Sequence, residues 1–490
     1  MLLPIFTAEK THTMRTTFLL CAAFLCCAHA AFSQKWVDTN YSIQLTKDIA
    51  YGSSIDFAGT NRTHFMNICV PINDTIPICG RPLLLAIHGG AFIAGSKDGD
   101  QIPGWIRDFA KRGYVAASIN YRLGMFQTDN FINCNISAFG APWNCLNMQD
   151  TAEWYRAAYR GIQDAKGAIR FLLNNASVYH IDPRNVFLVG ESAGGFIALS
   201  TAFLDDSTEK PIFANAMANV NAPNALYENQ CIQTPGFATN IASMNLARPD
   251  LGSIDGVMNP STVAYTIKGV GNFYGAMNKD LFSKYNYSKA PVLYMFHQPN
   301  DLVVPYDAGL VEGGVSYCAT QFPFNCQYLT NLPWVYGSKG ISKMINALST
   351  SGIPLPTYLL DSTTNTSDCL GQISNPSTVG HAVDNPPLRS LHLAQFFAPE
   401  VDTTCFPTLL QNVSNQKALV IAPNPANEYF TILGITDAVD IICSDINGRI
   451  LFKKDDVIAP EKISISTLPK GVYILSIKST SQTHRIKLLK

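Results

Sequence analysis

The stretch Asn185–Leu204 reads NVFLVGESAGGFIALSTAFL, and it decides the fold. A short apolar run suited to a buried strand, Asn185–Val189, is followed by Gly190–Gly194 and then by small and apolar residues at helical spacing. A strand, a sharp turn and a helix with serine at the apex are typical of the nucleophile elbow in the G-x-S-x-G pattern. We expect glycines at 190 and 194 because side chains there would collide with the strained serine. The pattern predicts that Ser192 is a nucleophile; the alternative is a tight turn with an idle serine.

The composition describes a folded protein. Of 490 residues, 47% are hydrophobic and only 14% are charged, which excludes a disordered chain and allows two or three domains. The formal net charge is −1, so nothing indicates nucleic acid or an anionic membrane as a partner.

The N-terminal region has the pattern of a secretory signal. A basic start at Met14–Thr17 leads into the apolar run Phe18–Ala31, which small residues follow. We predict a signal peptide over residues 1–34, with residues 1–13 a spurious extension. A short membrane anchor is the alternative.

Thirteen cysteines in an exported chain make disulfides plausible. The spacing suggests three close pairs and one looser pair, and leaves Cys231 and Cys443 without an obvious partner. The pairs are Cys69/Cys79, Cys134/Cys145, Cys318/Cys326 and, more loosely, Cys369/Cys405. No CxxC spacing occurs, so we expect no zinc or other metal site.

Residues 35–414 alternate apolar strands with helical patterns. This order predicts an α/β domain with a mostly parallel sheet covered by helices on both faces. The predicted strands are Met66–Pro71, Pro82–Ile87, Tyr114–Asn120, Ala214–Val220, Pro291–Phe296 and Pro356–Leu360. The predicted helices are Ile102–Arg112, Asp150–Asn174, Ser338–Ser351 and Ser390–Phe397. The rest of Asp205–Ala290 is poor in regular period and is interpreted as loops and short helices that cap the site.

The pattern changes near residue 415. From Pro423 onward, short alternating strands separated by turns predict a small all-β sandwich over residues 415–490.

A nucleophilic serine needs an imidazole and a carboxylate, and in this strand order they follow the serine as acid and then histidine. His381 lies in a loop before the closing helix and is the preferred base over His297 and His392. Asp301 directly follows the strand 291–296 and is the preferred acid, with Asp361 as its rival.

The oxyanion of the tetrahedral intermediate needs main-chain N–H donors that are already oriented. Ala193, at the start of the helix, supplies one donor. Gly90 and Ala91, in the loop after the strand 82–87, are the best candidates for the others.

Three motifs together carry a family resemblance. His88–Phe92 (HGGAF), Asn120–Gly124 (NYRLG) and Gly190–Gly195 (GESAGG) resemble the α/β-hydrolase esterases of the carboxylesterase and lipase type, over about Tyr51 to Phe397. The resemblance implies a serine carboxylic-ester hydrolase that uses no cofactor, with Ser192, Gly90, Ala91 and Ala193 in matching positions, and the predicted signal peptide implies that it is secreted. Many relatives use glutamate as the acid, and prolyl-peptidase-like hydrolases use an aspartate. Peptidase activity and a non-catalytic binding protein of this fold are the alternatives.

The C-terminal domain carries a second resemblance. Pro423–Pro425, Asp445–Arg449, Leu468–Tyr473 and the basic end Lys487–Lys490 look like a type IX secretion sorting domain, type A. This implies passage through the periplasm, secretion or surface attachment, and the type IX machinery as a partner. An adhesive or carbohydrate-binding β module is the alternative.

The ester is not readable from the sequence. Aromatic loop residues could line an apolar acyl or aryl pocket, or equally belong to the core; they are Phe131, Trp143, Phe322 and Trp334. Aryl esters such as feruloyl groups, lipids and synthetic polyesters all remain open.

Overall fold

The structure is a computed structural model. The chain splits into two compact units, residues 1–404 and 405–490. The structure describes residues 34–125, 151–221, 245–278, 281, 290–321, 331–349, 355–365, 368–369, 371, 380–404, 420–433, 438–446, 448–458, 461–479 and 483–490. The predicted signal, the Cys134/Cys145 pair and the aromatic residues Phe131, Trp143 and Phe322 lie outside the described residues.

An eight-stranded sheet forms the first unit, in the order β1-β2-β4-β3-β5-β8-β10-β13. Its strands are β1 (Ser42–Ile55), β2 (Asn61–Ile72), β3 (Arg81–Ile87), β4 (Val115–Ile119), β5 (Ile181–Glu191), β8 (Ile267–Phe273), β10 (Val292–Phe296) and β13 (Tyr358–Asp361). The pairs β1/β2 and β2/β4 are antiparallel, whereas the pairs from β4 to β13 are parallel. The predicted mostly parallel α/β sheet is confirmed.

Helices cover both faces of this sheet. They are α1 (Ile102–Lys111), α2 (Thr151–Asn174), the single turn α3 (Ala176–Tyr179), α4 (Ala193–Phe203), α5 (Gly313–Ala319), α6 (Ser338–Leu348) and α7 (Pro386–Phe397). Along β3, Leu83 and Leu85 pack into the core that includes α2 and α4. Leu84 and Ala86 pack into the core that includes α1 and α7. Every residue of β3 is therefore buried, which explains its continuous apolar run.

The strand β8 contradicts the prediction that this part of residues 205–290 belongs to a cap over the site. It lies in the middle of the sheet between β5 and β10, although its sequence IKGVGNF has no apolar run. A Cβ at Gly269 would lie 2.7 Å from the Phe397 ring, and one at Gly271 would lie 2.8 Å from Leu393. The two glycines let α7 pack directly on the strand, and the same glycines remove the apolar signal that predicts a strand.

Two small sheets stand apart from the main one. The predicted strand Ala214–Val220 corresponds to β6 (Met217–Asn221), which, within the described part of the chain, pairs with β7 (Asn245–Arg248) and not with the main sheet. A three-stranded sheet joins β9 (Ala276–Asn278), β11 (Ala308–Leu310) and β12 (Trp334–Gly337). Trp334, at the start of β12, is exposed and does not belong to the core.

Three predicted cysteine pairs are wrong. Cys318, in α5, is bonded to Cys369 and not to Cys326, which also removes the pair Cys369/Cys405. Cys69 is a free, buried cysteine of β2, while Cys79 belongs to a disulfide with another partner. Proximity in sequence misleads here because the β2 cysteine points into the core under α1. Cys443 is free, as the sequence suggested.

The second unit is all-β, as predicted. One antiparallel sheet has the order β14-β15-β18 and the other the order β17-β16-β19-β20. Their strands are β14 (Val420–Ala422), β15 (Tyr429–Leu433), β16 (Val439–Asp445), β17 (Ile450–Val457), β18 (Lys462–Ser464), β19 (Val472–Lys478) and β20 (Thr483–Leu489). Phe430 and Ile441, one from each sheet, belong to a single buried core.

No helix among the described residues is long and apolar enough to cross a bilayer. Within the same residues, no group of three or more histidine, cysteine or acidic side chains could hold a metal ion.

Candidate active site

Ser192 occupies a strained turn between β5 and α4. Its φ of 52° lies in the left-handed region, which a non-glycine residue rarely adopts. A Cβ at Gly190 would lie 2.0 Å from the carbonyl oxygen of Gly194, and one at Gly194 would lie 2.0 Å from the carbonyl oxygen of Ile87. The two glycines are needed, but the collisions they avoid are with each other and with β3, not with the serine as the sequence suggested.

Asp301 and His381 come from loops at the same edge of the sheet. Asp301 lies in the loop that follows β10, and His381 lies between β13 and α7. Two hydrogen bonds between Asn300 and Asn365, each of 2.9 Å, tie the first loop to the chain after β13. Because the ends of parallel strands meet at one edge, residues far apart in sequence come together with Ser192.

The three side chains form a connected row. Nε2 of His381 lies 2.8 Å from Oγ of Ser192, and Nδ1 of His381 lies 2.7 Å from Oδ2 of Asp301. An ionised carboxylate only accepts, so Nδ1 carries the proton and Nε2 is left to accept from the serine hydroxyl. This is the protonation pattern that a general base next to a serine nucleophile requires.

The carboxylate of Asp301 is buried and fully hydrogen-bonded. Oδ1 accepts from the backbone N–H groups of Val303 at 2.8 Å and Val304 at 3.1 Å. Oδ2 accepts from His381 and also from Nε2 of His297, at 3.1 Å. Burial raises the pKa of Asp301, but the electrostatic interaction with His381 and the hydrogen bonds from both histidines outweigh it and lower the pKa below its usual value. The aspartate therefore stays ionised.

The loop after β3 lies directly against the elbow. A Cβ at Gly89 would lie 3.1 Å from Cβ of Ser192, so only glycine allows this approach. Gly90 and Ala91 follow with φ values of 103° and 51°. Ala193 is the first residue of α4, where backbone N–H groups have no acceptor within the helix. The three sequence-predicted donors thus belong to the two segments that meet at the serine.

The side chain of His88 stabilises the loop after β3. Its ring stacks on Tyr121 with centroids 4.4 Å apart, and the Tyr121 hydroxyl donates to the His88 carbonyl at 3.1 Å. Complete burial lowers the pKa of His88 to about 4, so the imidazole is neutral. A neutral buried ring stabilises the loop without placing a charge behind the oxyanion donors.

A cavity of about 400 Å³ opens over Ser192. Its lining combines the loop after β3, the elbow and the histidine loop; it consists of Gly89, Gly90, Ala91, Asp100, Gln101, Glu191, Ser192, Tyr274, Val303, His381, Ala382 and Val383. Trp334 is not among the described residues that line it.

Glu191 is a cavity residue that sequence reasoning missed. Its carboxylate accepts hydrogen bonds from Trp105 Nε1 at 2.5 Å and from the Tyr274 hydroxyl at 3.0 Å. Burial raises its pKa to about 7 despite both hydrogen bonds. A charged residue at the end of a buried strand was the available signal. Tyr274, whose ring centroid lies 4.6 Å from that of His381, carried no comparable signal.

The rival candidates lie elsewhere. His297 is buried on the side of Asp301 away from the serine, and it contacts the acid and not the nucleophile. Asp361 and His392 bind each other at 2.8 Å, and Asp361 also accepts from Arg389 and Tyr294. The described contacts join neither of them to Ser192.

Comparison with known families agrees with the architecture. The BD-FAE family model matches residues 66–133 and 151–309, a region that includes both β5 and the elbow. These residues are similar to α/β-hydrolase esterases. A second family model, the secretion system C-terminal sorting domain, matches residues 420–490.

Individual relatives match a smaller region. Para-nitrobenzyl esterase of Bacillus subtilis (strain 168) is 27% identical over 191 residues, which are 38% of this chain and 33% of that protein. A probable isoprenylcysteine alpha-carbonyl methylesterase of Oryza sativa subsp. japonica is 28% identical over 185 residues, 38% of this chain and 32% of that protein. This chain thus spans about a third of the length of these curated relatives.

Two solved structures align with a larger share of this chain. Thermogutta terrifontis esterase 2, phosphonylated by cyclosarin, is 15% identical with a TM-score of 0.37, covering 74% of this chain and 96% of that one. A truncated carbohydrate esterase from gut microbiota is 14% identical with a TM-score of 0.37, covering 74% and 98%.

Proposed function

We propose that this protein is an exported serine hydrolase that cleaves carboxylic esters through an acyl-enzyme. One observation carries the proposal: the unbroken hydrogen-bonded row from Ser192 through His381 to Asp301, at the floor of the cavity. The match to the BD-FAE family model is in line with it, and the match of residues 420–490 to the sorting domain supports export to the surface or the medium by the type IX machinery.

In the acylation step, His381 Nε2 accepts the hydroxyl proton as Ser192 Oγ attacks the ester carbonyl. Asp301 keeps the imidazole in the required tautomer and stabilises the imidazolium that forms. The carbonyl oxygen becomes an oxyanion, for which the N–H groups of Gly90, Ala91 and Ala193 are the proposed donors. His381 then protonates the departing alkoxide, and the alcohol leaves.

Deacylation repeats these steps with water. His381 takes a proton from a water molecule that attacks the acyl carbonyl, and returns it to Ser192 Oγ as the carboxylic acid leaves. The serine is regenerated, and the proposed hydrolysis needs no cofactor.

The test is the esterase activity of the purified full chain towards short p-nitrophenyl esters. Ser192→Ala should abolish turnover and labelling by a fluorophosphonate probe, because both need the hydroxyl. Thr201→Ala, on the same helix but within the core, is the matched control and should keep both signals. Full turnover by Ser192→Ala, or faster cleavage of peptide anilides than of esters, would refute the proposal.

A further inference from the structure

His297 has no part in the mechanism above, yet it is bound to the proposed acid. Its side chain is completely buried, and Nε2 lies 3.1 Å from Asp301 Oδ2 and 3.1 Å from the backbone carbonyl of Val304. His381 approaches the same carboxylate oxygen from the other side, at 2.7 Å. Two histidines therefore converge on one oxygen of Asp301.

The surroundings determine which nitrogen of His297 carries the proton. Nε2 faces two oxygens that only accept, so it must be protonated. Nδ1 faces Ser338, whose backbone N–H lies 3.5 Å away and whose hydroxyl lies 3.2 Å away. A backbone N–H only donates, so Nδ1 is unprotonated and the ring is neutral.

The hydrogen bonds extend from Ser338 to Asn272, and each group donates towards Asp301. Asn272 Nδ2 donates to Ser338 Oγ at 3.2 Å, and Asn272 is itself held by hydrogen bonds to and from the Gly275 backbone, at 3.1 Å each. Donation thus runs from Asn272 to Ser338, to His297 and to Asp301, through side chains that are all buried. Ser338 is the first residue of α6.

The carboxylate has no remaining lone pair to spare. Two backbone N–H groups bind Oδ1, and two imidazole N–H groups bind Oδ2, which matches the four acceptor sites of a carboxylate. Removing one donor would free the carboxylate to rotate or to bind water, and would concentrate its charge on the remaining partner.

We propose that His297 is a positioning residue, which holds Asp301 Oδ2 against His381 by donating a hydrogen bond from a neutral, locked imidazole. This inference rests on the proposed function, because it acts through the same row of side chains. The titratable groups that face the two histidines are Asp301 between them, Tyr306 beside His297 and Tyr274 beside His381.

The experiment compares two substitutions of nearly equal size in the full chain. His297→Leu removes the donor, and we expect kcat to fall about 10- to 100-fold, the range for loss of a hydrogen bond to a charged group, with KM changed less than about threefold. The acid limb of the pH profile of kcat/KM should move to higher pH, because the charge of Asp301 would then act on His381 alone. His297→Gln keeps an N–H at the ε position and should restore kcat to within about fivefold of the parent enzyme.

Two further variants separate this role from folding. Ser338→Ala leaves His297 in place but removes the hydroxyl that orients it, and should shift the acid limb in the same direction by less. His64→Gln is the matched control: His64 is another buried histidine, bound to Ser54 Oγ at 2.7 Å, and its replacement should leave the pH profile unchanged.

The outcomes distinguish this inference from the proposed function. If the parent enzyme has no Ser192-dependent activity, the proposed function fails. If that activity exists but His297→Leu and His297→Gln fall equally, or the acid limb stays in place in both His297→Leu and Ser338→Ala, only the positioning role fails.

Discussion

Two aspartate–histidine pairs lie at the ends of neighbouring parallel strands, β10 and β13, and they differ in their other partners. Among the described residues, Asp301 is bound by backbone N–H groups and two imidazoles, and its histidine reaches Ser192. Asp361 accepts from His392 at 2.8 Å, but also from the Tyr294 hydroxyl and the guanidinium of Arg389. A permanent cation makes the second pair a structural cluster, whereas the first has no fixed cation and can respond to a proton on its histidine.

Both aspartates are ionised, but different partners lower the pKa of each one. The electrostatic interaction with His381 and the hydrogen bonds of two histidines overcome burial and lower the pKa of Asp301. For Asp361, hydrogen bonds from His392, Tyr294 and Arg389 overcome burial and also lower the pKa. The two aspartates share a position at a strand end, so their partners distinguish the proposed catalytic acid from an aspartate that links structural elements.

The largest expected effect breaks the first pair. Asp301→Asn should lower kcat/KM by a factor on the order of 10³ to 10⁴, because the amide cannot hold the same tautomer of His381. Asp361→Asn, the matched variant at the next strand, should stay within about threefold of the parent enzyme, since it removes no group from the row at Ser192. Steady-state kinetics with a p-nitrophenyl ester measure both, and equal losses would end the distinction between the two pairs.

A third carboxyl group sharpens the comparison. Glu191 is buried beside Ser192, receives only neutral donors, and has a pKa raised to about 7. A carboxyl whose pKa is higher in the folded state stabilises the fold at low pH, and this stability is lost as the pH rises from the ordinary value of 4.5 to about 7. The free energy of unfolding should therefore fall by about 3 kcal/mol across that window through this one group.

Glu191→Gln tests this expectation, because the amide does not titrate. Urea unfolding at pH 5 and pH 8 should show a smaller fall in stability for the variant than for the parent protein. The same difference in both proteins would mean that Glu191 stays ionised, with neutral donors alone supplying enough stabilisation.

The smallest expected effect concerns Arg389, which binds Asp361 of the second aspartate–histidine pair. Arg389 is 4% exposed, binds Asp384 by two hydrogen bonds of 2.8 Å, and lies 4.4 Å from the centre of the Phe296 ring. Arg389→Met should lower the free energy of unfolding by about 2 kcal/mol, less than for a fully buried ion pair because both aspartates keep some solvent contact. Thermal unfolding measures the loss, and kcat should be retained.

Arg184→Met is the control for this prediction. Arg184 also bridges two aspartates, Asp182 and Asp402, but its side chain is 36% exposed, so its loss should cost less than about 1 kcal/mol. If both arginine substitutions lower the free energy of unfolding equally, burial does not determine the strength of these ion pairs.

Local patterns were enough for much of this molecule. The elbow, the buried strands β3, β5 and β10 and the all-β character of the C-terminal unit follow from the spacing of apolar residues and glycines. The choice of His381 and Asp301 also came from sequence order, and the structure brings both to Ser192, which leaves their roles to be tested by the variants above.

Other features could not be read because their cause lies in distant contacts. The central strand β8 lacks an apolar run since its glycines make room for Phe397 and Leu393 of α7. The partner of Cys318 lies 51 residues away and not at the nearest cysteine. The hydrogen bonds on Asp301 from His297 and on Glu191 from Trp105 are equally invisible in a one-dimensional pattern.

The sequence by itself determined where strands and turns form, because those depend on neighbours within a few positions along the chain. Only the tertiary structure decided which of three histidines reaches Ser192 across 189 residues, which carboxyl groups are ionised and which cysteines meet. Hydrogen bonds and burial act through space over a few ångströms, and that distance is set by how the strand ends come together at one edge of the sheet.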